Sequence, residues 1–212
     1  MLEEMKMMIG SNERIIWEGK PNKKCFIFEA IFNPLLPFAV IWGALDFSII
    51  GFGFKDMISD GGASMALFMI FFFALHLMPV WIYLGGALLS FLRYKNCYYI
   101  VTDRAVYVSG GIITRSVNTK PFAEMNSVNL HRGVFDRMFN VGDIMFTSTY
   151  YNTNHSNSMS SRVGTNILSI SEYTEVYNIV TKLQRDIYSD TMYPNDYRPK
   201  ENHGYNTEYK GL

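Results

Sequence analysis

Apolar and polar positions divide the chain into two regimes. Residues 35–54 form a run of 20 broken by one charge, Asp46, and residues 63–92 form a run of 30 with no formal charge. About 20 apolar residues at 1.5 Å each cross a hydrocarbon core of about 30 Å, so both runs predict membrane-spanning helices. Only residues 55–62 separate them, a stretch that ends in Gly61-Gly62, which predicts a turn and a helical hairpin with both ends on one side. Arg14, Lys20, Lys23 and Lys24 precede the first run, Arg93, Lys95 and Arg104 follow the second, and the turn carries Lys55 alone. That asymmetry predicts a multi-pass protein of the cell membrane with both termini in the cytoplasm. The first run starts too late and is too long for a cleaved secretory signal. Asn33, Pro34 and Pro37 predict a kink where it begins, and Pro79 a bend in the second helix. Tyr94, Tyr98 and Tyr99 suit an interfacial belt.

Beyond Leu92 the period changes from helical to extended. Residues 98–102 and 105–109 are β-rich runs with Asp103-Arg104 between them, the pattern of a hairpin. Gly110-Gly111 turns the chain into a strand over 112–117, and a break at Pro121 precedes another over 122–130. Gly142 opens an alternating strand over 143–151; 152–162 reads as a mobile loop, and 165–170 as a last strand. Short antiparallel strands joined by turn residues predict a small sandwich or barrel. Val176, Ile179, Val180, Leu183 and Ile187 then recur at helical spacing, with Ser169 or Ser171 as the N-cap. This helix is expected to close the open end of the barrel. The predicted organisation is a polar lead-in (1–25), a transmembrane hairpin (26–92), a β-domain with its helix (93–189) and a disordered tail (190–212). The fold class is α+β.

Charge and composition add exclusions. Nineteen Lys and Arg balance nineteen Asp and Glu, so no basic surface points to nucleic acid. Charged residues are 18% of the chain, below the roughly 25% of soluble domains. Cys25 and Cys97 stand far apart with no CxxC or Cys/His cluster, which predicts reduced structural thiols and no metal or cofactor. No glycine-rich phosphate loop, HExxH or GxSxG is present, so no enzymatic activity is expected.

The stretch YYIVTDRAVYVSGGII, followed by SVNLHRGVFDRMFNVGDIMF, resembles the bacterial pleckstrin-homology-like domains appended to paired transmembrane helices. These are the YdbS/YdbT-type membrane proteins, once classed as a domain of unknown function. The lead-in ERIIWEGKP is similar to that family's Trp, Gly-Lys-Pro opening. The resemblance covers about Glu13 to Tyr188; the T-D-R hairpin and the segment ending in G-D-I are its most specific pieces. It implies a seven-stranded, strongly bent sheet sandwich closed by a C-terminal helix, and it does not imply phosphoinositide binding. The family commonly carries a second Arg after T-D-R; Ala105 stands there in this chain, which puts in question any role that depends on that charge.

Three sets of residues carry candidate chemistry. Asp46 lies inside an apolar span, where a carboxylate costs a few kcal/mol and often marks function. His76 is its nearest polar counterpart; with outer helix ends at 54 and 63 the two differ in depth by about 7 Å, so pairing requires tilt or offset. The reading preferred on sequence is an Asp46 near the outer interface facing water. The alternatives are a polar contact between helices or protomers and a proton site, the last fitting an accessory subunit of a transport complex. His131, Arg132 and Arg137, with Asp136 among them, suit a short solvated connection between strands. Arg104, Arg132 and Arg137 are the candidate lipid-headgroup ligands. The function expected first is a non-catalytic, self-associating scaffold at the membrane, pairing through sheet edges or through Gly85-Gly86-Ala87 with itself or another membrane protein. The second is a sensor of anionic headgroups.

Overall fold

The computed structural model describes residues 2–112, 114–147, 149–150, 160–161 and 166–192, with backbone alone at 53–61, 63, 149–150, 160–161 and 189–192. In chain order the elements begin α1 (Leu2–Met8), β1 (Ile15–Gly19), α2 (Lys23–Ile31), α3 (Leu35–His76), α4 (Met78–Asn96) and β2 (Tyr99–Thr102). They continue with β3 (Ala105–Gly110), β4 (Ser116–Pro121), a 3₁₀ turn (Phe122–Glu124), β5 (Ser127–His131), α5 (Val134–Phe139) and β6 (Gly142–Thr147). Last come β7 (Thr149–Tyr150), β8 (Ser160–Ser161), β9 (Ile167–Ile170) and α6 (Tyr173–Met192). Two compact units result: 1–26 with 93–212, and 27–92.

The first unit is built on two antiparallel sheets. One has the order β1-β2-β3-β4 and the other β5-β6-β9, with β7 and β8 forming a separate ribbon. The lead-in is therefore part of the domain: Gly19 pairs with Tyr99 and Glu18 with Ile100. A strand and its partner about eighty residues apart leave no local signal, which is why the sequence pattern places 1–25 outside the domain.

The burial pattern of β2 has the same origin. All four of its residues are buried, without alternation. Tyr99 and Val101 join the main core with Val106, Phe122, Ile144, Phe146, Ile167 and Ile170. Ile100, Ala105 and Tyr107 pack instead against Met5 of α1, so both faces of this part of the sheet are covered. Tyr99 is 1% exposed and belongs to the core rather than to an interfacial belt. Its hydroxyl accepts from Leu168 N at 3.2 Å and from Cys97 Sγ at 3.3 Å.

α6 lies against β5, β6 and the 3₁₀ turn. Val176, Ile179, Val180, Leu183 and Ile187 are all buried, each contributing about 1.5–3 kcal/mol of transfer free energy. The helix starts later than either serine allows, because Val176 N donates to Glu172 O. Ser169 is instead buried, with φ 53. α6 runs on to Met192, two residues into the segment read as tail; the rest of that tail and most of 152–162 lie outside the described residues.

Other boundaries shift for local reasons. Residues 112, 114 and 115 are in no strand; β4 runs from Ser116 to Pro121 and, among the described residues, pairs with β3 alone, an edge position where proline's missing N–H costs nothing. Gly111 has φ 105, and a Cβ there would sit 1.9 Å from Thr114 O, so this turn requires glycine. Between β5 and β6 the chain forms α5 rather than a solvated connection, and Asp136 is 1% exposed.

In the second unit α3 is helical throughout except at Gly62, where φ 63 and ψ −163 break it. The reversal predicted over 55–62 thus falls on one residue, since only glycine adopts that backbone cheaply. Asn33 starts α3, its side chain accepting from Leu35 N at 2.8 Å and donating to Ala30 O at 2.8 Å. The arms run antiparallel. Trp42 Nε1 donates to His76 O at 2.8 Å, Tyr83 Oη donates to Ile31 O at 2.9 Å, and a Cβ on Gly43 would stand 3.4 Å from Val80. Among the described residues one segment, Leu35–Phe52, is by itself long and apolar enough to cross a membrane, so the two-span hairpin expected from sequence is met by one helix alone. Ser64–His76 and Met78–Asn96 reach the same length and hydropathy only as a pair bent by 54° at the break, a broken span or a re-entrant loop. The bend falls just before Pro79, whose ring has no N–H to offer Leu75, and Trp81 Nε1 donates to Ala74 O at 3.1 Å beside it.

Candidate functional site

Asp46 and His76 meet inside the helical unit. His76 Nδ1 is 2.9 Å from both carboxylate oxygens, and Asp46 is 1% exposed. The carboxylate is buried and partnered, not turned to water. The geometry follows from Gly62: Asp46 lies 16 residues before the break and His76 14 after it, depths of about 24 and 21 Å. The His76 ring stacks between Trp42 (centroids 5.0 Å apart) and Phe72 (5.2 Å). A carboxylate, an imidazole and two aromatic faces can hold one shared proton, or an ion pair whose cation rests on π-systems.

The T-D-R hairpin clasps the lead-in. Thr102 Oγ1 accepts from Arg104 N at 3.2 Å and from Ala105 N at 3.0 Å, and donates to Glu13 Oε2 at 3.0 Å. Asp103 Oδ1 accepts from Arg14 N at 3.1 Å, and Tyr107 Oη donates to Glu13 Oε2 at 3.0 Å. Burial, with the Glu13 bond second, pushes Tyr107 up to about 12. The motif's first two residues thus close β1 onto the β2–β3 turn, and Arg104 O accepts from Phe122 N.

The predicted lipid-binding arginines fall in three places along the chain: Arg104 in the β2–β3 turn, where its O accepts from Phe122 N, Arg132 just after β5, and Arg137 on α5. Arg132 is engaged locally: Nε donates to Val141 O at 2.8 Å, the guanidinium reaches Asn140 Oδ1 at 3.3 Å, and it lies 4.4 Å from the Tyr173 ring centroid. Arg137 is exposed on α5.

A different cluster forms where the domain's chain leaves for the apolar segment. Gly19 and Tyr99 are paired, so both connections to the apolar segment leave from one end of the first sheet, and the β3–β4 turn lies there too, with Asn96 Nδ2 donating to Gly111 O at 3.1 Å. Lys20, Lys23, Lys24, Arg93, Lys95 and Arg115 are all exposed at this end. No carboxylate occurs in 19–28, 93–102 or 110–120. Lys20 Nζ sits over Tyr98 at 4.0 Å and Tyr94 at 5.1 Å.

Two buried polar ties hold the second sheet to the same exit. Asn22 N donates to Ser169 O at 2.7 Å, and Cys25 Sγ donates to Asp136 Oδ1 at 3.6 Å. Asp136 Oδ2 also accepts from Gly133 N at 2.7 Å, and Asp143 Oδ1 accepts from Ser169 N at 2.7 Å. Burial raises Asp143 above the ordinary carboxylate range, opposed by the Ser169 amide and reinforced by Asp136. His131, Asp136 and Asp143 bring donor atoms within 4.8 Å of one another, a set that could hold a cation. The backbone amides and the thiol already engage both carboxylates, which fits a structural role. Nothing in the spacing of Cys25 and Asp136, 111 residues apart, signals this junction in the sequence.

Two antiparallel sheets closed by a C-terminal helix, interrupted between the first two strands by an apolar helical segment, define a PH-like domain with an inserted helical unit. The chain belongs to the bacterial PH domain family, whose model matches residues 38–184. The match begins after β1, although β1 completes the first sheet. No curated protein and no solved structure matches the chain.

Proposed function

We propose that this chain is a non-catalytic membrane-anchored module that holds its PH domain at the cytoplasmic face of the bilayer and presents it to a second copy or another membrane protein. The observation that carries the reading is the pairing of Gly19 with Tyr99. Two hydrogen-bonded strands lie on the same side of a membrane, so the chain between them crosses an even number of times. If Leu35–Phe52 is one crossing, the bent pair Ser64–His76 and Met78–Asn96 is the return. The basic residues at the exit set the side.

For pairing, β4 is an open sheet edge, with Asn118 and Thr119 exposed. Gly85 and Gly86 have open space where side chains would stand, which suits close helix approach. A second reading, recognition of anionic headgroups, is favoured by the six exposed cations at the exit.

Labelling of single-cysteine variants with an impermeant maleimide tests the anchor, because native Cys25 and Cys97 are buried. Asp56→Cys should react in intact cells, and Lys24→Cys and Arg115→Cys only after lysis. Equal reactivity of all three, or loss of the chain from membranes in alkaline carbonate, defeats the reading. Native mass of the detergent-solubilised chain, with and without Asn118→Lys and Thr119→Lys, tests pairing: a monomer in both would remove self-association.

A further inference from the structure

α5 turns its apolar residues the wrong way for a soluble surface. Val134 is 81% and Met138 59% exposed, one helical turn apart, while Asp136 on the same helix is 1% exposed. Leu130, near the end of the preceding strand β5, is 40% exposed. Short helices ordinarily bury the apolar face and expose the charge. Here the carboxylate is drawn inward because it caps Gly133 N and accepts from Cys25.

Within 125–147 the two carboxylates, Asp136 and Asp143, are both buried, whereas Arg137 is exposed. The face is also fixed beside the chain exit. Cys25, bonded to Asp136, directly follows the exposed Lys23 and Lys24, and Asn22 is bonded to Ser169.

Resting on the anchoring proposed above, we infer that the α5 face is a bilayer-contact surface: Val134 and Met138 enter the boundary between headgroups and acyl chains, with Arg137, Lys23 and Lys24 against anionic phosphates. Interfacial helices that combine apolar side chains with a cationic surround bury about 5–10 Å deep, and the anionic leaflet attracts such cations. The covalent tether removes the need for high intrinsic affinity, since it holds the domain at a high effective concentration. A protein partner would also accept Val134 and Met138, but the exposed Arg137, Lys23 and Lys24 and the adjacent chain exit favour lipid.

Spin labels at Val134→Cys and Met138→Cys in the full chain, reconstituted into phosphatidylglycerol-containing or pure phosphatidylcholine nanodiscs, test this. In the anionic discs, collision with a water-soluble nickel chelate should fall severalfold relative to a label at Thr119→Cys, while collision with oxygen rises. Arg137→Glu should reverse much of that change in anionic discs and have little effect in phosphatidylcholine. Labels at 134 and 138 that stay as accessible to nickel as Thr119→Cys in both lipids overturn the inference. So does shielding from both relaxants that grows with protein-to-lipid ratio, which would mean protein contact. Failure of the chain to remain in the discs counts against the anchor itself, so the two ideas fail separately.

Discussion

The Asp46–His76 pair gives the sharpest test of the helical unit. His76→Ala takes the imidazole from a carboxylate that is 1% exposed and leaves it among apolar side chains. Breaking a buried ion pair from one side costs about 3–5 kcal/mol. The His76 side chain is 38% exposed, and in detergent that surface is covered by apolar chains rather than water, so a cost within this range is expected. Asp46→Asn keeps a hydrogen-bonding side chain of the same shape, and about 1 kcal/mol is expected. The double variant no longer strands a charge, so its cost should fall short of the sum by about 1–2 kcal/mol, within the range of coupled neighbours. Reversible denaturation of the full chain in mixed detergent, followed by tryptophan fluorescence, supplies all four corners of the cycle. Additivity within about 0.5 kcal/mol would mean that the 2.9 Å contact is energetically idle and that the other contacts, Trp42, Gly43 and Tyr83 among them, hold the arms together.

Three further outcomes follow from the domain. Glu13→Gln weakens the bonds from Thr102 and Tyr107; a loss of about 1 kcal/mol, roughly 2–4 °C in melting temperature, is expected by scanning fluorimetry. In the same variant the Tyr107 titration, read as the difference from Tyr107→Phe, should move down from about 12. Because burial raises Asp143 above its ordinary 3.8, the folded chain keeps a proton that the unfolded chain has lost, and stability falls as pH climbs from 3.8 through the raised value. Asp143→Asn should flatten that fall in a pH series of melts; an unchanged slope would refute the assignment. Gly111→Ala must relieve a 1.9 Å approach to Thr114 O at φ 105; a cost of at least about 2 kcal/mol is expected, and a neutral variant would mean that the turn has another conformation.

What the sequence disclosed was governed by range. The α6 stripe was plain, because its five buried residues recur within the twelve positions 176–187 and face one surface. The β2–β3 hairpin was equally local. By contrast, β1 was read as lead-in because its partner lies beyond the apolar segment. α5 was read as a solvated connection because its composition suits one; only the Cys25 and Gly133 contacts turn Asp136 inward. The pairing of Asp46 with His76 depended on where α3 reverses. Moving that point from the middle of 55–62 to Gly62 changes a mismatch of about 7 Å into one of about 3 Å. The candidate arginines were chosen for charge alone, and Arg132 proved to be occupied by Val141 and Tyr173.

The interrupted order of the first sheet also sets a schedule. β1 leaves the ribosome with nothing to pair with, and its partner follows about eighty residues later. At about 5–20 residues per second that is a wait of roughly 4 to 16 seconds. During it the whole apolar segment is exposed and Ile16 and Trp17 have no core. Closing a loop of that length in free solution is slow and entropically costly. A helical segment that has already doubled back at Gly62 brings Gly19 and Tyr99 close before either strand is committed. Pairing of β1 therefore waits on the apolar segment, and a chain in which that segment does not fold back meets the full loop-closure cost before its first strand can pair.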